Sequence, residues 1–124
     1  KGYFGRAVNV QEISAVTAAC MLMKAEDFQA VGGFDEEFVV AFNDIDLCMK
    51  ARAAGKKVVF TPYAELYHYE SKSRGMEDTP EKQFRFEKET KRFEEKWGDE
   101  MAKGDPYYNP NLSLKEADCS LRED

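Results

Sequence analysis

The sequence is poor in histidine and has no excess of positive charge. Its 124 residues include one histidine, His68, and 24 acidic residues outnumber 18 lysines and arginines, which leaves a net charge of −6. A single imidazole excludes a metal centre built from several histidines of this chain. Nucleic-acid binders neutralise phosphates with clustered Lys and Arg, so the charge balance argues against nucleic acid as a partner.

Long apolar runs and closely spaced cysteines are also missing. No apolar run approaches the roughly 18 residues that a membrane span requires, and no signal peptide is visible. Cys20, Cys48 and Cys119 are too far apart for a metal motif, and their odd number fits buried thiols in a reducing compartment. The chain begins at Lys1 and not at a methionine, so we expect a piece of a longer protein.

With 43% hydrophobic and 34% charged residues, the composition is that of a globular domain. Apolar runs predict strands at 14–23, 56–61 and 64–69, the first of them buried on both faces, although periodicity alone leaves a helix open there. A short helix is predicted at 25–31. Together these elements indicate an α/β fold.

A long helix is predicted to begin at Thr79-Pro80 and to end near Lys96, before Gly98. Four residues share one face of it at spacings of four, three and four: Phe86, Thr90, Phe93 and Trp97. This stripe needs a partner surface. We expect the rest of the domain to provide it, and the alternative is a second subunit.

The central helix is predicted over 43–54, with Asn43 as N-cap and Gly55 just past its end. Asp46 has two structural roles open to it, capping back toward Asn43 and pairing with Lys50 four residues on. Asp44 has no such partner in the pattern. Its carboxylate either complements the helix dipole or acts as a general base.

His68 and the loop after it are the remaining candidates for chemistry. A single histidine on a strand is either a core residue or a metal ligand, and the pattern leaves both open. Lys72 and Arg74, with serines beside them, either bind a phosphate group or belong to a solvated loop. No P-loop, GxGxxG or nucleophile elbow is present, so nothing indicates covalent catalysis.

Five segments, in this order, resemble the C-terminal half of the catalytic domain of family 2 glycosyltransferases. These are inverting GT-A enzymes that include many bacterial rhamnosyltransferases. The segments are VTAACMLM at 16–23, VGGFDE at 31–36, FNDIDLC at 42–48, PYAELYHYESKSRG at 62–75 and DPYYNPNLS at 105–113. The resemblance implies a partial GT-A domain over 1–113, with a short mixed sheet, flanking helices and a long C-terminal amphipathic helix. A frayed tail is expected at 114–124.

The resemblance also implies roles for individual residues. Asp44 matches the family's catalytic base, although Asn43 stands where many relatives have Glu. His68 matches a ligand of a divalent cation, Mn or Mg, that an Asp-x-Asp motif also binds. Gly33, Phe34 and Asp46 would lie on the acceptor side. The donor diphosphate would be bound by Ser71, Lys72, Ser73 and Arg74.

The resemblance therefore implies a metal-dependent enzyme of bacterial cell-surface polysaccharide biosynthesis. It would move a sugar from a nucleotide-sugar donor to a hydroxyl of a glycan or lipid-linked acceptor, in the cytoplasm or at the inner face of the membrane. The family's nucleotide-binding half, which carries its metal-binding Asp-x-Asp motif after a strand, is not in these residues, so we expect this chain alone to be inactive. We also expect it to form a homodimer through the bared edge of the 14–23 strand, with the aromatic stripe of the long helix as further apolar area. The alternative is a non-catalytic self-association module that uses the 80–97 helix.

Overall fold

The computed structural model describes residues 3–69, 79–116 and 119–122, where one long helix accompanies several short elements. The regular elements, in chain order, are a 3₁₀ helix Tyr3–Val8, strand β1 Gln11–Glu12, a 3₁₀ turn Ala18–Cys20, helix α1 Ala25–Ala30, helix α2 Asn43–Ala53, strand β2 Val59–Phe60 and helix α3 Pro80–Ala102. This mixture of helices with a small sheet is compatible with the partial α/β domain expected from the sequence.

The sheet has two antiparallel strands. Gln11 of β1 lies opposite Phe60 of β2, and Glu12 lies opposite Val59. One further bond extends the ladder, because Ile13 N donates to Val58 O over 3.0 Å. The strand predicted over 56–61 is thus confirmed for Val59–Phe60.

Two other predicted strands are wrong. Within 14–23 the chain forms the 3₁₀ turn, and the side chain of Leu22 is 100% exposed rather than buried on both faces. Residues 64–69 have no regular structure and are exposed. A strand needs a neighbouring backbone to satisfy its N–H and C=O groups, and apolar side chains do not provide that.

Helix α2 ends as predicted but begins differently. Gly55, with φ of 77°, follows the helix, and Lys56 N donates to Ala51 O over 3.0 Å. At the other end Phe42 occupies the N-cap position in the left-handed conformation, with φ of 64° and ψ of −4°, and Asn43 is the first helical residue. The prediction of Asn43 as N-cap is therefore wrong.

Helix α3 begins as predicted and continues further. Thr79 caps it by accepting a bond from Lys82 N over 3.4 Å, and Pro80 fits the first turn, which needs no N–H. Gly98 lies inside the helix, which ends only at Ala102, before Gly104 with its φ of 79°. An interior glycine lowers helix stability by about 1 kcal/mol relative to alanine, so it does not by itself end a helix that packs well.

The core lies between α2 and the aromatic face of α3. Its buried apolar side chains are those of Phe38, Leu47, Cys48, Ala51, Phe93 and Leu112. The ring of Phe42 stacks on Phe93 and Phe86, with centroids 5.0 and 5.7 Å away. The stripe on α3 therefore packs on the rest of the domain, as expected.

The cysteines and the C-terminal residues depart in part from expectation. Cys48 is buried, but Cys20 is exposed and Cys119 is half-buried. Part of the tail expected to be frayed is paired, since Leu112 forms a bridge with Leu121 and Arg122 N donates to Asn111 O over 2.8 Å.

Across the described ranges, none of the helices combines the length and apolar character of a membrane span.

Candidate active site at the start of helix α2

Asp44 joins the first turn of α2 to the 3₁₀ turn at Ala18–Cys20. Its Oδ2 accepts a hydrogen bond from Ala18 N over 3.1 Å, and its Oδ1 accepts one from Ile45 N over 2.9 Å. The expectation that Asp44 has no structural partner is therefore wrong. Its side chain is half-buried, and no cation of the described ranges pairs with it. Each carboxylate oxygen keeps a lone pair available for another donor.

Asp46, two residues later, has a very different environment. It is 0% exposed. Its Oδ1 lies 2.8 Å from Lys96 Nζ and accepts a bond from Trp97 Nε1 over 2.8 Å, while Lys50 Nζ lies 3.4 Å from Oδ2. The pairing with Lys50 is confirmed, and Lys96 and Trp97 of α3 are added to it. Burial favours the structural role of Asp46 over its predicted contact with an acceptor.

The loop that carries Gly33 and Phe34 is held against both helices. Lys50 Nζ donates to Gly33 O over 2.5 Å, and the exposed ring of Phe34 meets Phe28 edge-on at 5.5 Å. Asp35 accepts bonds from Lys96 Nζ over 2.9 Å and from Arg92 over 3.2 Å. Of the predicted acceptor-side residues, Gly33 and Phe34 thus lie in a loop that α2 and α3 fix in place, whereas Asp46 lies in α2.

The pKa values of Asp35 and Lys96 reflect the ion pair between this loop and α3. The hydrogen bond from Lys96 lowers the pKa of Asp35 to about 2, and burial opposes that shift. Burial lowers the pKa of Lys96, but its hydrogen bonds to Asp46 and Asp35 outweigh burial and raise it. Lys96 is therefore a cation shared by two carboxylates.

Glu89 of α3 was missed by the sequence analysis. Its side chain is 3% exposed and accepts bonds from three successive backbone N–H groups: Val39 at 3.2 Å, Val40 at 3.3 Å and Ala41 at 2.6 Å. Its spacing from the aromatic residues could have indicated that it is buried. Glu89 lies three residues after Phe86 and four before Phe93, so a charged residue falls on the apolar face of the helix.

An apolar cavity of about 940 Å³ opens next to the 3₁₀ turn that Asp44 contacts. It lies between the 13–24 segment, the inner face of α2 and the 56–61 segment. Ala18, whose N–H bonds Asp44, is in its lining, as is Cys48. Burial raises the pKa of the Cys48 thiol, whose Sγ donates to Val16 O over 3.8 Å.

The other predicted site residues are placed only in part. His68 lies exposed in the irregular segment before residue 70, and the donor-diphosphate candidates Ser71, Lys72, Ser73 and Arg74 fall outside the described residues. Among the residues described, no group of three or more His, Cys, Asp or Glu side chains is suited to hold a metal ion. The roles of His68 and of 71–74 stay predictions.

Several bacterial proteins are similar to this chain. An uncharacterised protein of Sinorhizobium fredii, y4gI, is 56% identical over 121 residues, which are 97% of this chain and 13% of that protein. The O-antigen biosynthesis protein RfbC of Myxococcus xanthus is 39% identical over 126 residues, 96% of this chain and 9% of RfbC. The N-acetylglucosaminyl-diphospho-decaprenol L-rhamnosyltransferase of Mycobacterium tuberculosis is 35% identical over 60 residues, 48% of this chain and 20% of that enzyme.

The chain spans only a small part of each of these relatives, between 9% and 20% of their lengths. No protein-family model and no solved structure matches it.

Proposed function

We propose that this chain is the acceptor-side part of an inverting glycosyltransferase in which Asp44 is the general base. The enzyme would transfer a sugar from a nucleotide-sugar donor to a hydroxyl group of a glycan or lipid-linked acceptor. Similarity to an O-antigen biosynthesis protein and to a rhamnosyltransferase supports the class of reaction. The different environments of Asp44 and Asp46 support the choice of residue.

That difference is the observation on which the proposal rests. Asp46 is fully buried, and Lys96, Trp97 and Lys50 surround it. Asp44 is half-buried and held by two backbone N–H groups. A general base must come within about 2.6–3.2 Å of the proton it accepts, so it needs an accessible lone pair and a fixed position. Of the two carboxylates, Asp44 meets both requirements.

The mechanism follows from this placement. An acceptor hydroxyl beside the start of α2 would donate to the free lone pair of Asp44. As the oxygen attacks the anomeric carbon of the donor sugar, its proton would pass to the carboxylate and the bond to the diphosphate would break on the opposite face. A single displacement of this kind inverts the anomeric centre and forms no covalent intermediate with the protein.

A divalent cation, Mn or Mg, is implied by the family resemblance and would stabilise the charge of the leaving diphosphate. The described residues do not fit it by themselves, because they bring no group of three or more ligands together. His68 is proposed as one ligand, and the other ligands would come from elsewhere in the complete protein.

We do not favour the alternative of a self-association module that uses the 80–97 helix. It needs the apolar stripe of α3 to be available to a second subunit. Phe93 is instead buried, with its ring 5.0 Å from Phe42 and 6.1 Å from Phe38. The same face also supplies Lys96 and Trp97 to Asp46.

The test is an Asp44→Asn variant of the complete gene product. Sugar transfer would be assayed with a panel of UDP-, dTDP- and GDP-sugars and extracted lipid-linked glycan, and donor binding by calorimetry. Loss of a general base lowers turnover by about a hundredfold or more, while donor binding persists. An Asp44→Asn variant with wild-type turnover would show that another group accepts the proton.

A further inference from the structure

We propose that Glu89 is a positioning residue that sets the place of Asp44 through the 39–41 segment and Phe42. This inference rests on the proposed role of Asp44 as general base. Glu89 itself touches no reacting group; it acts through the backbone that leads into α2.

The buried carboxylate of Glu89 is stabilised by hydrogen bonds from the 39–41 backbone. It is 3% exposed, and burying a charge is costly unless hydrogen bonds replace the lost water. Val39 N, Val40 N and Ala41 N provide them, at 3.2, 3.3 and 2.6 Å. Arg85 Nε, 4.0 Å from Oε1, adds a positive charge nearby. Three successive N–H groups that converge on one side chain fix the path of the backbone between them.

Phe42, the next residue, connects the 39–41 segment to helix α2. Phe42 is held at φ of 64°, a left-handed conformation that is unfavourable for a residue with a side chain. Its ring stacks on Phe93 and Phe86, both from the same helix as Glu89. Helix α3 therefore holds the chain at two places: Glu89 binds the segment before the turn, and the rings of Phe86 and Phe93 pack on Phe42 within the turn.

The first residues of α2 follow directly. Phe42 O accepts the first helical bond, from Asp46 N over 2.7 Å, and Asn43 Oδ1 accepts one from Asp44 N over 2.8 Å. Asp44, whose Oδ2 accepts a hydrogen bond from Ala18 N over 3.1 Å, lies only two residues after Phe42. A change in the direction of the turn would move this carboxylate relative to an acceptor bound beside the start of α2.

The geometry requires a carboxylate and not only a polar group. Both oxygens of Glu89 accept, Oε1 from two N–H groups and Oε2 from the third. In a Glu89→Gln variant one of these oxygens becomes an NH₂ group, which faces a backbone N–H with a donor of its own. At least one bond is lost at nearly unchanged side-chain volume. A misplacement of about 1 Å at a reacting group can cost up to a hundredfold in rate.

The experiment compares Glu89→Gln, Asp44→Asn and the double variant in the complete gene product, with the same donor panel and acceptor. We expect Glu89→Gln to lower kcat about 10- to 100-fold with the donor KM changed less than about threefold. In the Asp44→Asn background the same substitution should cause no further loss, because the group that it positions is already gone. Glu94→Gln, at an exposed position of the same helix, is the matched control and should keep wild-type kcat.

Each outcome decides one of two questions. Full activity in Glu89→Gln, or losses that multiply in the double variant, would overturn the positioning role and leave the function of Asp44 standing. Full activity in Asp44→Asn would overturn the proposed function, and the positioning role with it. If Glu89→Gln does not fold, Glu89→Asp replaces it, since it keeps the charge and both acceptors on a shorter side chain. Its loss of kcat must likewise vanish in the Asp44→Asn background.

Discussion

The indole Nε1 of Trp97 donates a hydrogen bond to Oδ1 of Asp46 over 2.8 Å, which ties the second half of α3 to the first turn of α2. Lys96, the preceding residue, binds the same oxygen at 2.8 Å and also reaches Asp35 at 2.9 Å. One turn of α3 therefore holds both the start of α2 and the loop that follows Gly33. Asp44 lies next to this arrangement without being part of it.

Asp46→Asn should mainly reduce stability. The substitution leaves Lys96 and Lys50 beside a neutral side chain in a buried setting, and removing one partner of a buried pair costs about 3–5 kcal/mol. Urea unfolding measures the loss. Asp99→Asn, at an exposed position of α3, is the control and should lie within about 0.5 kcal/mol of wild type. An Asp46→Asn protein of wild-type stability would contradict the structural role.

Gly33→Ala and Gly98→Ala should change stability in opposite directions. Gly33 has φ of 65°, and a Cβ there would lie 3.1 Å from the ring of Phe28, so we expect a loss of about 1–2 kcal/mol. Gly98 lies inside α3 with nothing within 4 Å of an added Cβ, so alanine should stabilise by about 0.5–1 kcal/mol. Thermal unfolding of both variants checks this, and a stable Gly33→Ala protein would contradict the strained turn.

Because the pKa of Asp35 is lowered in the folded protein, its contribution to stability should be lost at acidic pH. Its pKa is about 2 in the folded protein and about 3.9 in the unfolded chain, so the unfolded state takes up a proton first. The contribution, roughly 2 kcal/mol, is fully present above about pH 4 and is lost as the pH falls to about 2.

Urea unfolding from pH 5 to pH 2 compares wild type with Asp35→Asn, in which this part of the pH dependence should be absent. Glu36→Gln, next to it and exposed, should keep the wild-type dependence. Parallel curves for wild type and Asp35→Asn would show that the pair with Lys96 contributes nothing.

His68→Ala should affect binding of the donor and not the fold. The residue is exposed, so its removal should leave the unfolding temperature unchanged. As a metal ligand, it should be needed for the part of donor affinity that depends on Mn²⁺ or Mg²⁺, with a loss of about tenfold or more. Calorimetry on the complete gene product, with and without the cation, measures this against Tyr67→Phe. Equal cation-dependent affinity in His68→Ala would remove His68 from the metal site.

The isolated 124-residue chain should self-associate through the apolar cavity. Leu22 in its lining is 100% exposed, and contiguous exposed apolar surface favours association, most simply as a symmetric dimer. Sedimentation measures the mass, and Leu22→Lys should shift the chain toward monomer. Leu114→Lys, exposed outside the cavity lining, should not. A strictly monomeric wild-type chain would contradict the prediction.

Much of the helical structure could be predicted because its signals are local. Thr79-Pro80 begins α3, Gly55 follows α2, and the 25–31 helix lies within a residue of α1. The strands could not be predicted equally well. An apolar run such as 14–23 forms a strand only if another backbone lies beside it, and the strands of the described residues are Gln11–Glu12 and Val59–Phe60.

By itself, the sequence determined the composition class, the helices and the order of motifs that led to Asp44, because capping residues and helical periodicity act over a few positions. Only the tertiary structure decided which carboxylate is buried against Lys96 and Trp97, and which one stays half-buried beside the 3₁₀ turn. It also revealed Glu89, whose three donors lie 48 to 50 residues away along the chain. The physical reason is that burial and hydrogen bonding depend on which segments meet in space, and local sequence patterns do not contain that information.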